Sequence, residues 1–187
     1  IVDSDFYYEH SDLGYTEDFN ANGVLEPGED KNNNGVIDRG NIWVNPLEFN
    51  GRVNFDDDGN GLVDDVIGWD FSQPGCTSGC NRPYPPNPGQ CGYPFEICSH
   101  GTLVAGTVGA IGNNGIGTTG VAWSTSMMAL KLGLDAYSIV GADALSYGAG
   151  KDASILNASW GILPWYVWSG AIHSAVQNVE NDQAILV

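Results

Sequence analysis

The sequence predicts an α/β fold with a doubly wound, mostly parallel sheet and helices on both of its faces. The first observation is that short apolar runs alternate with helical patterns throughout residues 100–187. The second is the apolar pair Ile1 and Val2, which indicates a further strand at the beginning of the chain. The order β–α–β–α–β–α–β is typical of parallel sheets, because a helix must carry the chain back between parallel strands. Only two residues precede Asp3, fewer than a central strand requires, and the apolar strand at the other end stops with no cap or turn after it. We therefore expect a domain that is truncated at both ends.

The individual elements follow from periodicity and capping signals. In chain order, the pattern predicts a helix over 101–111, a strand over 126–132, a helix over 138–148, a strand over 153–158, a helix over 165–181 and a strand over 184–187. Ser138 is a favourable N-cap for the second helix, because its hydroxyl can accept a hydrogen bond from a first-turn N–H group. Residues 4–99, in contrast, are acidic and rich in Asn, Gly and Pro, which predicts irregular structure.

Most of the negative charge lies in the first part of the chain. Residues 1–70 contain 17 of the 23 acidic residues and three of the six basic ones, which is −14 of a total net charge of −17. A chain this acidic does not bind nucleic acid through its phosphates, so we expect no nucleic-acid partner. The sequence contains no run of 18 apolar residues, so it predicts no membrane span. A local cluster of carboxylates predicts binding of cations instead.

Three near-repeats in this acidic region have the spacing of an EF-hand calcium loop, with oxygen ligands at alternate positions and Gly at the sixth. The predicted ligands are Asp18, Asn20, Asn22, Val24, Glu26 and Glu29 in the first repeat, Asp30, Asn32, Asn34, Val36 and Asp38 in the second, and Asp56, Asp58, Asn60, Leu62 and Asp64 in the third. Only the first repeat ends in Glu, so we expect it to bind calcium most tightly. No flanking helices are evident, so the loops would be structural clamps in an insertion over 14–70. The alternative is a solvated acidic loop with Asn-Gly turns.

Four cysteines define a second irregular segment, over residues 76–98. They are Cys76, Cys80, Cys91 and Cys98. Their spacing fits no common zinc signature, so disulfides are favoured over a metal site. Disulfides indicate an oxidising compartment, and hence a secreted protein. Three pairings are possible, and we favour the nested one, which joins residues 76 with 98 and 80 with 91.

One glycine motif has the spacing of a dinucleotide-binding fingerprint, at Gly115, Gly117 and Gly120. That fingerprint must follow a strand and open a helix, whereas this motif follows a helix and precedes a strand. We therefore expect no nucleotide site here.

An acid and a histidine are predicted at the ends of neighbouring elements. Asp3 follows the first strand, and His100 opens the first long helix. A carboxylate that orients an imidazole, which in turn accepts a proton from a nucleophile, makes up two thirds of a nucleophilic triad. The alternative is a surface Asp and an unrelated surface His.

Several motifs resemble those of the subtilisin-like serine proteases (subtilases). The family's histidine motif, H-G-T-x-V-A-G, is matched by residues 100–106. Its aspartate motif, D-[ST]-G followed by H-x-D-L, is similar to residues 3–5 and 10–13. Weaker matches are the glycine-rich run 113–117 with 120–122, the substrate strand 155–161 and the strand 183–187 that precedes the family's oxyanion asparagine. Together these motifs cover about 1–13 and 98–187, with 14–97 as an insertion.

The resemblance implies a subtilisin-like fold and a secreted, calcium-stabilised serine endopeptidase, of whose catalytic domain residues 1–187 would be a part. His100 would be the general base, and Asp3 would orient it. The family's G-T-S serine motif is absent from this sequence. The rest of the catalytic domain, which would carry the nucleophilic serine, is therefore an expected partner, and we expect this chain alone to be inactive.

Two further sites are implied by the same resemblance. Ser159, Trp160 and Gly161 would bind a peptide or protein substrate as an added strand, and Trp160 would either line a substrate pocket or pack in the core. Asp12 and Asn114 would hold a calcium ion in the family's own calcium loop.

The segment 76–98 ends two residues before His100 in the sequence, so it would either form one wall of the substrate groove or be a surface ornament.

One departure from the family pattern lies beside the predicted catalytic acid. Asp5 stands where the family has Gly, so we expect backbone strain there and a raised pKa of Asp3. This departure, or a missing serine, leaves open a pseudoprotease. The calcium loops alone would also fit a non-catalytic adhesion or scaffold module, which would leave the histidine motif unexplained.

Overall fold

The structure is a computed structural model that describes residues 1–8, 10–13, 40–81, 83, 100–133, 138–160 and 170–187. Within these ranges the strands are β1 (Val2–Asp3), β2 (Gly68–Asp70), β3 (Ala129–Lys131), β4 (Ile155–Leu156) and β5 (Ile185–Leu186). The helices are α1 (Pro46–Phe49), α2 (His100–Gly109), α3 (Ser138–Gly150) and α4 (Gly170–Asn181).

The paired strands all run parallel. β1 and β2 both pair with β3, so that Leu130 lies in register with Val2 on one side and Trp69 on the other. β4 pairs with β5. A hydrogen bond of 2.9 Å from the Val2 N–H to the Asn157 carbonyl connects β1 with the end of β4. The predicted parallel α/β fold is confirmed.

Helices cover both faces of the sheet. Successive residues of a strand point to opposite faces, and the two β3 residues Ala129 and Leu130 accordingly belong to different cores. Leu130 packs in a core formed with α3 and α4, which includes Leu145 and Val179. Ala129 packs on the other face with Ala105 of α2. This arrangement places the beginning of α2 beside the end of β1.

The predicted elements of the second half occur with shifted ends. α2 begins at His100 rather than residue 101, and α3 extends to Gly150. The strands are shorter than predicted, and the described part of the last helix begins at Gly170, because residues 161–169 lie outside the described ranges. No helix in the described ranges is long and apolar enough to cross a membrane.

The region expected to be irregular contributes a strand to the sheet. β2 consists of Gly68, Trp69 and Asp70, which show no alternation of polar and apolar residues, so the sequence pattern did not predict it. All three residues are buried. At Gly68, whose φ is 129°, a side chain would meet the carbonyl oxygen of Ala129, so the close pairing of β2 with β3 depends on glycine.

The favoured disulfide pairing is wrong. Cys76 bonds to Cys80, so neither of them is available for the nested arrangement. The turn between them contains Gly79 at a φ of 80° and brings the two Cα atoms to 6.4 Å, a separation that a disulfide can span. Cys91 and Cys98 lie outside the described residues.

Candidate active site

Asp3 and His100 meet at the edge of the sheet. Their side chains are brought together by the end of β1 and the first residue of α2, and His100 Nδ1 lies 2.8 Å from Asp3 Oδ1. The Asp3 side chain is 3% exposed, whereas the His100 side chain is 47% exposed. A buried carboxylate therefore holds an imidazole that is still accessible from outside.

The close approach of the two elements depends on Gly101. A side chain at this position would lie 2.0 Å from the carbonyl oxygen of Asp5 and 2.8 Å from the Cβ of Asp3. Only glycine allows the first turn of α2 to pack this closely against the chain after β1, which explains why glycine follows His100.

The hydrogen bonds of Asp3 determine which ring nitrogen of His100 carries a proton. An ionised carboxylate only accepts, so Nδ1 must be the donor in this pair, and Nε2 of the neutral ring is left as a proton acceptor. Asp3 Oδ1 also accepts from the Ser4 N–H at 2.7 Å. Asp3 Oδ2 is buried and has no hydrogen-bond partner among the described residues. This arrangement suits an imidazole that acts as a general base.

Asp5 is a second buried carboxylate close to this pair. It is 1% exposed, and its oxygens accept from the Thr102 hydroxyl at 3.0 Å and the Ser4 hydroxyl at 3.1 Å. Burial raises the pKa of Asp5, and the charge of Asp3 adds to that shift, while the hydrogen bonds oppose it. The expected backbone strain is absent, because Asp5 does not have a positive φ.

The predicted substrate strand is partly described. Ser159 is exposed, and its hydroxyl donates to the Asn157 side chain at 2.9 Å. The Trp160 ring packs against α3, where a side chain at Gly141 would lie 2.8 Å from the ring carbon Cη2. Of the two roles expected for Trp160, the structure therefore supports core packing. Gly161 lies outside the described residues.

Asp12 and Asn114 are brought together as predicted. The Asn114 amide donates to Asp12 Oδ1 at 3.1 Å, and the Thr118 N–H donates to Oδ2 at 2.8 Å. Asp12 is only 3% exposed, and no basic side chain among the described residues lies within ion-pair distance of it. A buried carboxylate without a cationic partner is costly, so this site fits a bound cation.

Of the three predicted calcium loops, only the third is described; the ligands expected over 18–38 lie outside the described residues. In the third loop the Asp56 carboxylate accepts from the N–H groups of residues 59, 60 and 61. Asp58 Oδ1 accepts from the Asn60 N–H at 3.1 Å, and Asn60 Oδ1 from the Leu62 N–H at 2.6 Å. Asp64 accepts from the Asn54 N–H outside the loop.

The closest group of carboxylates in the described residues consists of Glu48, Asp58 and Asp65, which offer oxygens within 4.8 Å of one another. Only Asp58 was predicted as a ligand. Lys151 already contributes a cation to this group, because its ammonium donates to Asp58 and lies 3.4 Å from Asp65. Asp65 also accepts from the Tyr147 hydroxyl at 2.6 Å. No local sequence pattern predicts this contact, because Lys151 follows Asp58 by 93 residues.

The pKa values of Glu48 and Asp58 in this acidic group shift in opposite directions. Burial raises the pKa of Glu48, although three backbone N–H groups oppose the shift. Burial also acts to raise the pKa of Asp58, but the hydrogen bonds from Lys151 and Asn45 outweigh it, so the pKa of Asp58 is lowered. The pKa of Tyr147 is raised by burial and by its hydrogen bond to Asp65.

Comparison with known proteins identifies a family and individual relatives of this chain. The model of the subtilase family matches residues 1–187. Subtilisin-like protease 1 of Plasmodium falciparum is 31% identical over 161 residues, which are 84% of this chain and 20% of the relative. Subtilisin-like protease 1 of Plasmodium vivax is 40% identical over 98 residues, which are 52% of this chain and 13% of the relative. The chain thus spans about a fifth of these curated relatives, or less.

Proposed function

Because the chain belongs to the subtilase family, we propose that it forms part of the catalytic domain of a secreted, calcium-stabilised serine endopeptidase. The observation that carries this proposal is the bond of 2.8 Å between a buried Asp3 and a half-exposed His100 at the end of a parallel strand. A nucleophilic serine would come from the rest of the domain, beyond this chain. The acidic segment 14–70 and the cysteine-containing segment 76–98 would be insertions in that domain.

The geometry supports a defined proton path. A serine hydroxyl would attack the peptide carbonyl while His100 Nε2 takes up its proton, and the same nitrogen would return that proton to the leaving amine. Water would then release the acyl group by the same path. Asp3 would keep Nδ1 protonated and stabilise the imidazolium that forms in each step. The buried position of Asp3 supports this role, because a desolvated carboxylate holds the ring in one orientation.

The substrate would be a peptide or protein bound in an extended conformation. Ser159 and Gly161 would offer backbone hydrogen bonds to it by strand addition, because Ser159 follows β4, whose end at Asn157 is hydrogen-bonded to β1. Trp160 would support this segment from beneath, since its ring packs against α3.

Calcium would be held by the buried Asp12 with Asn114, and by the three acidic loops. Its contribution would be structural, because it would neutralise carboxylates that repel one another. At the third loop Lys151 already neutralises part of the charge, so we expect this loop to bind calcium more weakly than the first. The disulfide between Cys76 and Cys80 supports an oxidising compartment and hence secretion.

The test is covalent labelling of the complete protein with a serine-directed phosphonate, together with cleavage of casein. We expect labelling of one serine outside residues 1–187 and loss of both labelling and cleavage in His100→Ala. His173→Ala is the matched control, because His173 is an exposed histidine on α4. A folded protein that binds calcium but is neither labelled nor active would favour a pseudoprotease or a binding module instead.

A further inference from the structure

Asp5 connects the chain after β1 to the first turn of α2. Its carboxylate accepts from the side chain of Thr102 at 3.0 Å and also from the Thr102 backbone N–H. The residue is almost completely buried, so water does not compete for these bonds. No side chain occupies this position in the family's D-[ST]-G motif, and the contact is therefore additional to the Asp3–His100 pair.

Thr102 lies in the turn that carries His100. The first N–H groups of a helix have no partner within the helix, and the bond to Asp5 satisfies one of them. The Thr102 hydroxyl in turn accepts from the Tyr7 N–H at 2.9 Å. Two separate contacts therefore connect the segment after β1 to the turn that begins at His100.

We propose that Asp5 is a positioning residue for the proposed peptidase reaction, which holds the first turn of α2 through Thr102 and so sets the place of His100 against Asp3. Gly101 allows the two backbones to approach, but it contributes no side-chain bond that would keep them together. The Asp5–Thr102 contact supplies that bond. The inference rests on the proposed function in one respect only, namely that the position of His100 matters for catalysis.

The test compares substitutions on both sides of the contact in the complete protein. Asp5→Ala removes both bonds to Thr102, whereas Thr102→Val removes the hydroxyl bond and also the acceptor of the Tyr7 N–H. For each we expect kcat to fall about 10- to 100-fold with KM changed by less than about 2-fold, because small displacements of a catalytic group cost this much. The double variant should lose less than the sum of the two single losses, since both substitutions remove the bond between Asp5 and the Thr102 hydroxyl. Asp5→Asn keeps an acceptor oxygen and should restore part of kcat.

The matched control is Thr107→Val, a substitution of the same kind on the same helix. Thr107 is exposed, and within the described residues its hydroxyl bonds only inside α2, to the Leu103 carbonyl at 3.0 Å. We expect its kcat to be that of the unchanged protein. Melting temperatures of all variants identify those that fold. If Asp5→Ala does not fold, Asp5→Asn takes its place in the test of the contact.

A second readout is independent of catalysis. The proton on His100 Nδ1, bonded to Asp3, gives a downfield NMR resonance that should shift and broaden in Asp5→Ala and Thr102→Val but not in Thr107→Val. If the unchanged protein has no peptidase activity, the proposed function fails, while this resonance still tests the positioning. The inference is overturned if Asp5→Ala leaves both kcat and the His100 resonance unchanged, or if the two substitutions are fully additive.

Discussion

Among the described residues, two of the places where a buried carboxylate meets a basic side chain differ in the exposure of the base. The His100 side chain beside Asp3 is 47% exposed, whereas the Lys151 side chain between Asp58 and Asp65 is 15% exposed. Both pairs place a carboxylate within hydrogen-bond distance of a nitrogen. The difference is that an external molecule can reach His100, while Lys151 is enclosed by its own partners.

The two places also differ in how completely their oxygens are satisfied. Asp3 Oδ2 has no partner in the described ranges. Asp65, in contrast, accepts from Asn45, Asn60 and Tyr147 in addition to its ion pair with Lys151. A carboxylate whose oxygens all have hydrogen-bond partners stabilises the fold, whereas a carboxylate with an unpaired oxygen can still accept a hydrogen bond during a reaction. A carboxylate beside a base is thus not by itself a functional site.

The largest effect on stability is expected at Lys151. Lys151→Met removes the cation from two buried carboxylates, and loss of one partner of a buried pair costs about 3 to 5 kcal/mol. Urea unfolding in the presence of a chelator measures it, since calcium could otherwise replace the lost charge. A loss below about 1 kcal/mol would show that Lys151 is not what neutralises this group.

Calcium should distinguish Asp12 from the acidic group around Lys151. Asp12 has no cationic partner in the described part of the chain, so its site depends on a metal for neutralisation. At a calcium concentration 100-fold above the dissociation constant, binding to one site stabilises the fold by about 2.7 kcal/mol. We expect Asp12→Asn to lose this gain in stability. A gain that is unchanged in this variant would show that Asp12 is not a calcium ligand.

In the first acidic loop, Glu29→Ala should remove the tightest step of a calorimetric calcium titration. An unchanged titration would show that Glu29 is not a ligand.

The pH dependence of stability should have opposite signs at Asp5 and Asp58. The raised pKa of Asp5 contributes stability below the ordinary carboxyl value of 3.8, which is lost as pH rises through the raised pKa. The lowered pKa of Asp58 contributes stability above 3.8, which is lost as pH falls through the lowered pKa.

Melting temperatures of Asp5→Asn and Asp58→Asn, measured from acidic to neutral pH, test these signs. Relative to the unchanged protein, Asp5→Asn should gain stability as pH rises and Asp58→Asn should lose it. Each variant is compared at every pH with the unchanged protein. Parallel curves for the two variants would contradict the assignment.

The smallest effect is expected at Arg52. Its side chain is 69% exposed, bonds Asp57 at 3.1 Å and lies over the Phe55 ring. Exposed ion pairs contribute about 1 kcal/mol at most, so Arg52→Met should change the free energy of unfolding by no more than that. The same variant is the control for Lys151→Met, because both replace a basic side chain that bonds an aspartate of the acidic segment. An equal loss in the two variants would remove the distinction between enclosed and exposed pairs.

The sequence predicted most of the second half of the fold because its periodicity was undisturbed. α3 and β3 lie where apolar spacing placed them, and the helix motif that contains His100 pointed to the family, which the comparison shows, and to the candidate site. β2 was not predicted, because Gly68, Trp69 and Asp70 form a strand only through their pairing with β3. That pairing joins residues far apart in the chain, which no local pattern reports.

The site was predictable in its chemistry but not in its supporting contacts. The motifs pointed to Asp3 and His100 as a candidate pair, while the contacts of Asp5 and Lys151 are long-range hydrogen bonds to Thr102 and Asp58. The predicted pairing of the cysteines was wrong for a related reason. Four cysteines permit three pairings, and the local turn that joins Cys76 to Cys80 competes with any longer loop.

The central claim is that Asp3 and His100 form a catalytic pair rather than a structural one. It is tested most directly by kcat of Asp3→Asn in the complete protein, under conditions in which the variant is folded. We predict a decrease of about 10⁴-fold, because Asn would hold the imidazole in the wrong tautomer. A kcat within about 10-fold of the unchanged protein would contradict the claim, since a loss that small is not expected when the residue that orients the general base is removed.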